Sequence, residues 1–225
     1  MKKHFFLLLT SLIFIVNVKA QSSQTTLGGV VFKEQNFSDV KGSPYVFGDW
    51  TISTVQTSNG IYNNINIKYS ELDDQVYFKN KEQEMMQFAD PVKDFIFSYK
   101  QNDKQVLAHY RNGYTNIAGS SSSAFFEVLV EGKVQLLKKT TKKVREEVVY
   151  GSTVSNKSFL TTTRYYIITP EKGILVKKDK KSVLTALSIK QNELEDYTKK
   201  NNIDFKKDDD IIKVIAYFNS IQPTI

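Results

Sequence analysis

The stretch from Gly42 to Tyr99 constrains the fold more than any other, because its apolar residues recur with a period of two. Ile61, Ile65, Ile67 and Tyr69 share one parity, while Tyr62, Asn64, Asn66 and Lys68 share the other. Successive side chains of a strand point to opposite faces, so Ile61–Tyr69 is expected to be a half-buried strand with the isoleucines on its dry side. Asn59-Gly60 just before it takes positive φ at little cost, which predicts a tight hairpin back to Trp50–Gln56. Further strands are expected at Gln75–Lys79, Glu84–Phe88 and Val92–Lys100, with turns at Glu71–Asp74 and Asn80–Glu82. Asp90-Pro91 marks a bend, since proline lacks a ladder donor. Phe95, Phe97 and Tyr99 point one way, and that aromatic side is expected inward.

A second set of strands begins at Lys104–Tyr110 and resumes after the serine tract Ser120–Ser123. In the β-rich passage from Ala124, Phe126, Val128 and Val130 share a parity, but Leu129 opposite them predicts cover on both faces. Glu131-Gly132-Lys133 reads as a turn or bulge, and Phe159–Ile168 as the last strong strand. Short, regularly spaced strands predict an antiparallel, hairpin-rich sandwich or barrel.

After Pro170 the spacing becomes helical. Helices are expected at Ser182–Leu187, Asn192–Lys200 and Asp208–Ile221, the last with Ile211, Ile212, Ile215 and Phe218 as its buried stripe. Asp208, Asp209 and Asp210 at its start are expected to cap free N–H groups and meet the positive end of the helix dipole. The fold class is therefore mainly β with a small C-terminal α-helical tail, α+β overall. The expected division is a signal peptide over 1–20, a β-rich domain over 21–170 and a docked helical extension over 171–225.

Met1–Ala20 has the parts of a secretory signal: Lys2 and Lys3, an apolar core over Phe5–Val18, and small residues in Val18-Lys19-Ala20. Cleavage is expected between Ala20 and Gln21. The apolar run is shorter than the roughly 20 residues that cross a bilayer, and no later segment is long and apolar enough to span. The chain has no cysteine, which excludes a lipoprotein anchor and disulfide staples, so the fold must rest on its core. These features predict an exported protein, periplasmic, extracellular or associated with the outer membrane. The formal charge of +7 falls by three, to +4, once Lys2, Lys3 and Lys19 of the leader are set aside. The lysines sit in short pairs such as Lys138-Lys139 and Lys142-Lys143. They read as a solvated surface that protects strand edges, the alternative being attraction to an anionic envelope polymer.

The run GSPYVFGDW, the following W…G-x-Y-x-N-x-x-I-K-Y-S-x-x-x-D-x-x-x-F pattern, the ADPVKDFIF bend and the ending SVLTALSIKQNELEDYTKKNNIDFKKDDDIIKVIAYFNSI resemble a group of uncharacterised secreted, β-rich proteins. These belong to Gram-negative bacteria of the Bacteroides–Flavobacterium lineage. The resemblance covers most of the chain after the leader and implies an envelope or extracellular setting. It assigns no activity and no residue role.

Catalytic side chains are few. His109 is the one histidine beyond the leader, and nothing in Leu107–Arg111 supplies the nucleophile and orienting acid of a triad. No cofactor is implied. Cysteine-based metal sites are impossible, and neither Glu71, Asp73 and Asp74 nor Asp208–Asp210 has the alternating spacing of a calcium loop. Turns and a helix start account for both groups. Tyr110, Arg111 and Tyr114 form a mixed aromatic–basic cluster that would suit a stacking platform, although aromatics at strand parity are more often core. Export argues against a nucleic-acid partner. The chain is expected to be a non-enzymatic envelope protein, a β-scaffold binding a protein partner or cell-surface polymer. The alternatives are a secreted hydrolase using dispersed Asp/Glu carboxylates, which would need two facing carboxylates in a deep pocket, and an accessory subunit with an exposed apolar patch.

Overall fold

In the computed structural model, which describes residues 27–101, 104–148 and 155–222, aromatic and β-branched residues at alternating positions draw twelve segments into one sheet. The expected leader and its Ala20–Gln21 junction lie outside the described residues. The strands are β1 (Gly29–Val31), β2 (Val40–Lys41), β3 (Thr51–Thr57), β4 (Ile61–Ser70), β5 (Gln75–Lys79) and β6 (Met85–Phe88). They continue as β7 (Val92–Gln101), β8 (Lys104–Arg111), β9 (Phe126–Val130), β10 (Gln135–Val148), β11 (Ser155–Ile168) and β12 (Gly173–Val176). Three helices follow: α1 (Lys180–Leu187), α2 (Gln191–Lys200) and α3 (Asp208–Ser220). The spatial order is β1-β6-β5-β4-β3-β7-β8-β9-β10-β11-β12, all antiparallel, with β2 added in parallel beside β11. The protein is thus β-rich α+β with C-terminal helices, as its patterning predicts. The sheet runs past residue 170, because β12 pairs with the end of β11 before the helices begin.

One strand departs from its expected parity. Asn64 sits at φ 58° and the β3–β4 register shifts there. Such a bulge reverses which side chains face inward. Tyr62 before it is therefore buried, as are Ile67 and Tyr69 after it, whereas Ile61 is 63% exposed. The isoleucine face expected from the sequence is split by an asparagine that tolerates left-handed backbone.

The core has two main parts. On one face of β3, β4, β7 and β8, Val55, Ile67, Tyr69, Phe95, Phe97 and Tyr110 pack around Phe125. Phe95 and Phe97 are inward, as their parity indicates. On β10, the neighbours Leu136 and Leu137 are both fully buried: Leu136 meets the helices and Leu137 meets Phe126 and Ile117. Both faces of this region are covered, as Leu129 foreshadows. The sheet also curls until the turn after β4 meets β10, where the Lys142 N–H donates to the Glu71 carbonyl at 2.8 Å. Two ion pairs hold that seam: Lys142–Glu71 at 3.0 Å and Lys139–Asp74 at 2.6 Å.

The tail docks by its stripe. Ile211, Val214, Ile215 and Phe218 of α3 are buried against Leu136, Ile167 and the other two helices. Ile212, expected in the stripe, is only partly buried. Asn219 clasps the turn between β9 and β10: its Oδ1 accepts from the Val134 N–H at 3.0 Å and its Nδ2 donates to the Val134 carbonyl at 2.8 Å. Gly132 in that turn has φ +138°, and a Cβ there would stand 2.6 Å from Asn219 Nδ2. Only glycine fits.

The three acids do not cap α3. Its N-cap is Lys207, with no side-chain cap bond. Asp208 instead ties the helix to the sheet, accepting from Lys178 Nζ at 2.5 Å and from Tyr165 OH at 2.9 Å, with Lys138 Nζ 3.6 Å away. Burial opposes the charge on Asp208, but those partners outweigh it and hold its carboxyl below the ordinary range. A group depressed on folding stabilises the fold above its unfolded value, about 3.9, and that contribution is lost as pH falls through the lower folded value. Urea midpoints measured from pH 6 down to pH 2 should therefore drop on the acid side, and Asp208→Asn should flatten that slope while lowering the midpoint at pH 6. An unchanged slope in the variant would remove Asp208 from the tether.

Candidate functional site

The hairpin of β7 and β8 sets the outward rows of the sheet. With Ile96 opposite His109 and Asp94 opposite Arg111, these four side chains leave the face that Phe95 and Tyr110 do not use. The register with β3 adds Thr54 beside Ile96 and Gln56 beside Asp94. One step along, Leu107 stands opposite Ser98, and Ile52 lies two residues before Thr54 on the same face.

At one end of this face the charges form a knot. His109 Nε2 lies 2.5 Å from Asp94 Oδ2 and His109 Nδ1 lies 3.5 Å from Glu131 Oε1. Arg111 bridges the same two carboxylates, with Nε 3.0 Å from Asp94 and Nη1 3.0 Å from Glu131. Burial opposes ionisation of both Arg111 and Asp94. Each overcomes it through its partners, so the guanidinium is held above its ordinary value and the Asp94 carboxyl below. Glu131 belongs to the turn that Asn219 clasps, so the knot and the docked tail meet at one loop.

The geometry limits the chemistry. A general base must turn a lone pair toward a substrate, and both imidazole nitrogens already face carboxylates. Both carboxylates are at the same time engaged by Arg111. Among the described residues, no group of three or more His, Asp or Glu is placed to hold a metal ion. A glycosidase acid would need its pKa raised, yet Asp94 and Asp208 are both shifted down. A hollow of about 260 Å³ between β5, β6 and Phe125 is lined by Asp74 and Asp90. Both are engaged, Asp74 by Lys139 and Tyr69 and Asp90 by Asn59.

No family model, curated protein or solved structure matches this chain. Its possible roles rest on its own geometry.

Tyr110, Arg111 and Tyr114 are not brought together as a platform. Tyr110 is buried on the core side, stacked on Phe95 with ring centroids 5.0 Å apart. Arg111 lies on the opposite face in the charge knot. Tyr114 is half-buried, its OH donating to Gln135 at 3.0 Å and its ring edge-on to Phe126. Glu71, Asp73 and Asp74 are turn residues with separate partners, Asp73 accepting from Tyr77 OH at 2.6 Å.

Further along the outer face, two apolar side chains flank Ser98 in the open. Leu107 is 66% exposed and Ile52 56% exposed. Sequence reading missed both, and also Asp94 and Glu131. The hairpin register would have exposed part of this, since it pairs Asp94 with Arg111 across the turn and fixes Leu107 on their side. Among the described residues, no helix is long and apolar enough to cross a membrane.

Proposed function

We propose that this chain is an exported, non-enzymatic scaffold of the cell envelope that binds a protein partner on the outer face of β3, β7 and β8. The observation that carries the reading is the exposed pair Ile52 and Leu107 beside a charge knot whose groups satisfy one another. An apolar centre with a polar rim suits a protein interface, and apolar side chains grouped in the open mark contact surfaces. A protein suits this face better than a polymer, because Tyr110, the aromatic that would stack on sugars, lies on the other side of the sheet. The leader pattern and the resemblance to secreted proteins support the envelope setting. The hydrolase alternative loses support from carboxylates that are already paired, with Asp94 and Asp208 held below the ordinary carboxylate range.

Tagged protein purified from its native envelope tests the proposal. Wild type should retain one partner in constant ratio, and Ile52→Asp/Leu107→Asp should lose it while keeping its circular dichroism. His109→Ala should leave the biological output within a few-fold, because loss of a general base costs about 10²–10⁴ in rate. Equal recovery with the double variant would move the binding surface elsewhere, and a loss of catalytic size in folded His109→Ala would restore an enzyme.

A further inference from the structure

The hairpin of β10 and β11 carries a second feature, independent of the outer face. Both strands are 14 residues long and paired throughout, but β9 covers only Leu136–Lys138 of β10. From Lys143 to Val148 every residue of β10 is exposed, including Val144 at 42% and Val148 at 73%. The Lys142 N–H points away from β11, toward Glu71. Backbone groups of an antiparallel strand alternate in direction, so Val144, Glu146 and Val148 present their N–H and C=O groups on that same edge. Among the described residues no backbone group pairs with them there.

Mixed charge usually keeps such an edge from pairing. Here the order of charges permits one partner. We propose that β10 pairs antiparallel with β10 of a second copy of this chain, about a two-fold axis at Glu146. Alternation allows only registers that bring residues of equal parity opposite one another. Centring on Arg145 sets two guanidiniums face to face and puts Val144 against Glu146. Centring on Val144 sets Lys143 against Arg145. Centring on Glu147 sets two carboxylates together and puts Glu146 against Val148. Centring on Glu146 sets Val144 against Val148 twice and Arg145 against Glu147 twice, one pair type on each face. Arg145 already holds Glu147 of its own strand at 2.8 Å, so each guanidinium gains a second carboxylate. The cost is one Glu146–Glu146 contact. It is moderated by Lys157, opposite Glu146 on β11 and also engaged by Asp39, and by Ser155, whose Oγ donates to Glu146.

The absence of native cysteine makes the test clean. Glu146→Cys places a thiol on the two-fold, where facing Cα atoms about 5.5 Å apart suit a disulfide. Mild oxidation of purified protein should convert this variant to covalent dimer. Lys143→Cys, whose copies would lie about 20 Å apart, should stay monomeric under the same treatment. Sedimentation equilibrium should show a dimer for wild type, roughly tenfold weaker in Val144→Asp and tighter in Glu146→Gln. A wild type that sediments as a monomer at the highest attainable concentration overturns the pairing, as does equal oxidation of Lys143→Cys and Glu146→Cys. Partner retention lost through Ile52→Asp/Leu107→Asp would survive either of those failures, so the two surfaces are judged separately.

Discussion

Lys142→Met is expected to destabilise the protein by about 3–5 kcal/mol, the loss typical when one member of a buried ion pair is removed. Glu71 is only 8% exposed and Lys142 Nζ stands 3.0 Å from its carboxylate. The same ammonium donates to the Tyr45 carbonyl at 2.7 Å. Taking it away leaves a carboxylate and a carbonyl without their donor at the seam where the sheet curls onto itself. The paired change Glu71→Leu/Lys142→Met should recover most of the loss, because an apolar pair of similar volume leaves no unpartnered charge. Chemical denaturation of the two single variants and the double variant measures this directly. If the double variant were as unstable as the sum of the singles, the seam would not depend on the ion pair.

Phe218→Ala should cost a similar amount, about 3–5 kcal/mol for a buried ring. Phe218 is 3% exposed, inside the cluster that joins α3 to Leu136 and Ile167. A 13-residue helix alone is marginal in water, so the stripe of Ile211, Val214, Ile215 and Phe218 owes its order to the sheet beneath it. Thermal melts read the result, and unchanged melting temperatures would detach the tail from the fold.

The helical tail was legible because its period is local: apolar residues three and four apart define the stripe within one segment. The strands were legible for the same reason, down to the inward aromatic side of β7. What failed depended on distant residues or on one special backbone position. Asn64 reverses the parity of β4 with a single positive φ, which alternation cannot detect, although an Asn-Asn pair within a strand is a place to look for it. Asp208 reads as a helix cap from its neighbours in sequence. It is claimed by Lys178, Tyr165 and Lys138, which reach it only once β10, β11 and α3 are packed together. The charge knot has the same character. His109 and Arg111 are adjacent by parity, but Asp94 joins them through hairpin register and Glu131 through the turn after β9.

A photoreactive side chain at position 107 in the living cell tests the binding face most directly. A scaffold that holds a protein on this face should trap one protein of discrete mass on illumination, with the yield abolished by Ile52→Asp and unaffected by His109→Ala. Trapping that yields no discrete product, together with loss of the biological output in folded His109→Ala, would contradict a binding scaffold and return the outer face to catalysis.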